Sequence, residues 1–64
     1  MKILCIQLEK GKCQSKEIES DLVPQAGSVI VFDEDSPCEF LVTCNEYIIQ
    51  EGRLVSAVLH GKFV

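Results

Sequence analysis

Along most of this chain apolar residues recur with a period of two, and several segments are apolar on both parities. In residues 2–8, KILCIQL, positions Leu4, Ile6 and Leu8 share one face, while Ile3, Cys5 and Gln7 share the other. That pattern predicts a strand covered largely on both sides. Residues 28–33, SVIVFD, read as another strand with apolar side chains on both faces. Pro24 and Gly27 punctuate the segment before it, and DEDSP, residues 33–37, is turn chemistry throughout.

The segment CEFLVTCNEYIIQ, residues 38–50, carries more information. Cys38, Phe40, Val42 and Cys44 lie on one parity, but Tyr47 and Ile49 are out of step with them. A bulge or bend near Asn45-Glu46 accounts for the switch, because one extra residue exchanges the faces of everything that follows. Glu51-Gly52 is a tight-turn signal, and RLVSAVLHGKFV closes the chain as a strand apolar on both faces. In EKGKCQSKEIESDL, Gly11 marks a turn and Ser15 can cap a short helix with Ile18 and Leu22 four apart. Residues 14–23 therefore read as a short helix or an excursion loop. The whole is mainly β: a small, partly open β-barrel of four to five antiparallel strands with that one excursion, the alternative being a sheet with a helix across one face.

Sixty-four residues make a single small domain. A chain of this size buries only about 60% of its unfolded surface, so its core is thin. Yet 47% of the residues are hydrophobic, and an apolar excess of this kind favours burial against a partner or a second copy. The apolar run after Lys2 is broken at Gln7 and is too short for a signal peptide. No segment approaches the roughly 20 apolar residues of a membrane span. These features lead us to expect a cytoplasmic protein with reduced cysteines and no membrane association.

The formal charge is −4, and its distribution matters more than its sum. From Glu17 to Gly52 there are nine acidic residues and no lysine or arginine. Nucleic-acid binding needs clustered cations, so direct binding of DNA or RNA is not expected. A protein partner with a basic surface is.

Four cysteines, Cys5, Cys13, Cys38 and Cys44, invite metal or redox chemistry, but the intervening gaps are seven, twenty-four and five residues. A tight Cys-x₂₋₄-Cys knuckle is missing. On a straight strand Cys38 and Cys44 stand about 20 Å apart, beyond a disulfide or a shared zinc ion. The reading adopted is structural: Cys5 and Cys44 as small buried residues, Cys13 and Cys38 in or near turns. Neither a metal nor another cofactor is assigned. A cysteine nucleophile would need His60 as its base, with Asn45 as a conceivable orienter; no spacing supports that. DEDS with Glu39 lacks the glycine and ligand spacing of a calcium loop. No phosphate loop or hydrolase motif occurs, so an enzyme is not expected.

The stretch VPQAGSVIVFDED…CEFLVTCNEYIIQEGRLVSAVL has a Pro-x-x-Gly turn, an apolar strand, an acidic turn, a long strand carrying an aromatic, and a closing Val/Leu strand. In this it resembles short phage, prophage and bacterial accessory proteins with Src-homology-3-like barrels. The resemblance implies a small barrel and brings no catalytic residues; the tryptophan-bearing groove of peptide-binding members has no counterpart, since Trp is absent.

The reading that results is a non-enzymatic interaction module, an acidic β-barrel that binds a protein partner or itself. Tyr47, Ile48, Ile49 and Phe63 are its expected apolar contacts; Asp33, Glu34, Asp35 and Glu39 its expected steering charges. A sharper version is a mobile-element inhibitor that occupies a nucleic-acid-binding surface by acidic mimicry. The alternative is a metal- or redox-responsive protein using the four cysteines.

Overall fold

The first strand finds a partner on each side. In the computed structural model, which describes residues 1–9, 11–33 and 38–64, β1 (Lys2–Glu9) turns at Gly11 into β2 (Lys12–Glu19). On its other side β1 lies parallel to β5 (Arg53–Phe63). β3 (Val29–Phe32) and β4 (Cys38–Gln50) complete a five-stranded sheet in the order β2-β1-β5-β4-β3. The sheet is mixed and curls into a half-barrel. Among the described residues no helix is long and apolar enough to cross a membrane.

The small, partly open β-architecture is therefore as expected, with two differences in detail. The strands are not all antiparallel, because the first and last strands pair in the same direction. The segment expected to hold a short helix or excursion is a strand as far as Glu19. Ser15 sits opposite Ile6 in the middle of that ladder, and caps nothing. Ile18 turns to the core while Leu22 is exposed, so the two never share a helical face. The reason is tertiary: K-E-I-E also alternates with period two, and β1 offers it a complete row of hydrogen-bonding groups.

The core lies on the concave face and consists of Ile3 and Cys5 from β1, Phe32 from β3, Phe40 and Val42 from β4, and Ala57 and Leu59 from β5. No polar residue is buried among the described residues. Fully burying side chains such as Phe40, Ile3 and Leu59 contributes about 1.5–3 kcal/mol each.

The parity switch in β4 is present, two residues earlier than the sequence pattern placed it. Val42 pairs with Gly61 and Cys44 with His60, leaving Thr43 as the extra residue. Its hydroxyl donates to the His60 carbonyl at 2.9 Å, so the irregularity stays hydrogen-bonded. Phe40 and Val42 face the core before the bulge; Asn45 and Tyr47 lie on that parity after it. Cys44 is thereby moved to the outer face and is exposed, contrary to its expected burial.

Gly61 makes the sharp curvature possible. A Cβ here would overlap the Leu41 carbonyl oxygen and stand 2.9 Å from Phe40 Cζ. The loop between β2 and β3 is held back to the sheet at both ends: the Ser20 N–H donates to the Met1 carbonyl at 3.0 Å, and the Gly27 N–H to that of Val42 at 2.8 Å. Between them a turn from Gln25 to Ser28, closed by the Ser28 N–H on the Gln25 carbonyl at 3.1 Å, places Gly27 at φ 92°; a positive φ at that position is what a type II turn requires.

Candidate functional site

The two groups of residues expected to bind a partner lie at opposite ends of β4. Tyr47, Ile48 and Ile49 are at the β4–β5 hairpin end. Glu39 is near the start of the same strand and Asp33 just past the end of β3, both exposed. Eight residues of strand separate Glu39 from Tyr47, about 26 Å at 3.3 Å per residue. Glu34 and Asp35 lie outside the described residues.

At the hairpin end, β4 and β5 run on beyond the core. Tyr47 is 48% exposed and Ile49 57%. A second irregularity leaves Val55 without a cross-strand partner and sets Leu54 opposite Ile49; both Leu54 and Val55 are exposed. The turn itself has Glu51 at φ 52° and Gly52 at φ 75°, the two positive values of a type I′ hairpin. The Asn45 amide steadies this end by donating to the Pro24 carbonyl at 3.0 Å and to the Tyr47 hydroxyl at 3.3 Å. Tyr47, Ile49 and Leu54 thus extend the concave parity into solvent.

Ile48 points the other way. With Leu4, Ser56 and Val58 it lines a shallow depression of about 370 Å³ on the outer face, bordered by Lys2 and Glu17. Phe63 joins neither group. Its ring packs 4.7 Å from Phe40 and 6.2 Å from Phe32, at the end of the barrel away from the hairpin, and its N–H donates to Gln7 Oε1 at 2.6 Å. Phe63 is half-buried and packs against the core at that open rim. Sequence parity could not separate it from Tyr47, because the strand that carries it is apolar on both faces.

Among the described residues, the acids from the middle of the chain do not fold into one patch. Glu17 lies 3.6 Å from Lys2, and Glu19 2.6 Å from the Met1 amine, which also has Asp21 at 3.9 Å. The hydrogen bond to Glu19 holds that amine above its ordinary pKa, and the same bond holds the Glu19 carboxyl below the usual range. Glu46 Oε1 meets His60 Nε2 at 3.0 Å. Asp33 and Glu39 form a separate group beside β3.

The cysteines are dispersed. All four are free: Cys5 buried, Cys38 half-buried, Cys13 and Cys44 exposed. Burial pushes the Cys5 thiol up, which disfavours the thiolate needed for reaction or metal binding. Among the described residues no group of three His, Cys, Asp or Glu is placed to hold a metal ion. Cys44 and His60 are cross-strand neighbours, but no hydrogen bond joins them among the described residues; the imidazole is engaged by Glu46 instead. Asn45 serves the Pro24 loop on the other parity and does not orient His60.

No family model, curated protein or solved structure matches this chain. The likeness to Src-homology-3-like accessory proteins consequently rests on its residues alone.

Proposed function

We propose that this protein is a non-enzymatic interaction module whose principal contact is the apolar end of the β4–β5 hairpin. The observation that carries this reading is the grouping of Tyr47, Ile49, Leu54 and Val55, all exposed, on a hairpin that projects past its own core. Solvent-exposed aromatic and aliphatic groups on a rigid element are the usual anchors of protein interfaces, and an apolar cluster left in water favours association. The hairpin is held in shape before any partner arrives, by its positive-φ turn and the Asn45 hydrogen bonds, so ordering it on binding costs little. The acidic groups at the far end of β4 favour partners that carry positive charge.

The test is site-specific photocrosslinking in cells expressing the protein, with the crosslinker at position 49 and, as control, at position 17. A discrete product from position 49, absent from position 17 and lost when Tyr47 and Leu54 become Ser, supports the reading. Equal crosslinking at the two positions overturns it.

A further inference from the structure

A second surface, independent of the hairpin, has a more specific chemistry. Among the described residues β3 is an edge strand, with β4 on one side only. The Val42 N–H donates to the Ser28 carbonyl, and by alternation Ile30 and Phe32 direct their backbone groups to β4. The N–H and C=O of Val29 and Val31 therefore point away from the sheet. Their side chains are also in solvent, 54% and 63% exposed. The other edge, β2, carries Lys16, Glu17 and Glu19, charges of the kind that discourage strand addition. β3, with the sequence VIVF, has none.

We propose that the free edge of β3 takes an extended segment of a protein partner as a sixth, antiparallel strand. Only a strand can satisfy alternate outward N–H and C=O groups in a row. The charges around β3 define the segment further. Asp33 follows the strand, and Glu39 stands opposite Val31 on β4. Antiparallel pairing sets the N-terminal side of the incoming segment beside Asp33. The segment therefore has Lys or Arg opposite Asp33 and β-branched residues opposite Val31 and Val29, a pattern of the form basic-x-Val-x-Val. Its inward side chains meet Ile30 and Phe32 and take the place of the Lys16 ammonium, which lies 5.1 Å over the Phe32 ring. A second copy of this chain fits less well, because both partners would bring a net charge of −4.

The experiment measures fluorescence anisotropy of a labelled synthetic peptide, Gly-Arg-Thr-Val-Thr-Val-Thr-Gly, titrated with the protein. Saturable binding is expected, and it weakens as salt rises from about 0.05 to about 0.5 M. D33N should bind about three-fold more weakly. V31P should bind at least about ten-fold more weakly, since proline removes an outward donor without removing a bond to β4. Should V31P fail to fold by circular dichroism, V31K, which retains every backbone donor, takes its place with the same expectation. I49S leaves peptide binding unchanged, which separates this surface from the hairpin. Absence of saturable binding up to about 1 mM, or undiminished binding by V31P or V31K, overturns the proposal. So does a peptide-independent dimer that those variants abolish, because the occupant of the edge is then a second copy.

Discussion

Replacing Gly61 with alanine should nearly unfold this protein. Gly61 pairs with Val42 immediately before the Thr43 bulge. A Cβ there would overlap the Leu41 carbonyl oxygen and stand 2.9 Å from both Leu41 C and Phe40 Cζ. Ordinary carbon contacts are about 3.5–4.0 Å, so even the looser overlaps are about 0.6 Å too close. Phe40 is fully buried and has little room to retreat. The carbonyl is worse, because it belongs to the strand paired with β5 and can move only if the two strands separate at the bend. Overpacking against side chains costs about 1–3 kcal/mol; against backbone we expect about 3 kcal/mol or more. A domain of 64 residues has a total stability of roughly 3–10 kcal/mol at about 0.05–0.15 kcal/mol per residue. One methyl group therefore removes a large share of it. Urea unfolding followed by circular dichroism measures this: with a slope near 1 kcal/mol/M, the midpoint should fall by about 3 M, or the variant should be unfolded in water. A fall of less than about 1 M would refute the reasoning. The double variant G61A/F40L separates the two clashes. If the carbonyl is decisive, shortening Phe40 does not rescue the glycine replacement; recovery would show that the ring was the obstacle.

Three further outcomes follow from the same structure. Truncating Phe40, fully buried against Phe63, should cost about 3–5 kcal/mol and is read from the same urea curves. E51N should stabilise the hairpin by a few tenths to about 1 kcal/mol, because Glu51 holds φ 52° and asparagine tolerates that region better; a lowered midpoint would count against the turn assignment. In timed alkylation with mass spectrometry near neutral pH, Cys13 and Cys44 should react first, Cys38 next, and Cys5 only on unfolding. Fast reaction at Cys5 in the folded protein would contradict its burial.

The period-two pattern by itself determined the class of fold and four of the five strands. Local turn chemistry determined where the chain reverses: Gly11, Gly27 and Glu51-Gly52 supply backbone shapes that need no distant partner. The parity switch in β4 was legible too, since it is written into which residues are apolar. Its position was not. Thr43 is the extra residue because the Gly61 backbone comes close to Leu41 there, a fact about two strands seventeen or more positions apart. That small displacement decided that Cys44 faces solvent. The same limit applies to β2: its alternation is too weakly apolar to announce a strand, and it becomes one because β1 offers a free edge. Phe63 and Tyr47 look alike in sequence, as lone aromatics in strands apolar on both faces. Only the curl of the sheet distinguishes them, by bringing Phe32 and Phe40 up to one ring while β4 and β5 carry the other past the end of the core. The described acids of the chain's middle are divided among separate places, because strands alternate their side chains and reverse direction. Sequence fixes each residue's charge and polarity; which of them become neighbours is decided by strand order and curvature, and those depend on contacts distant along the chain.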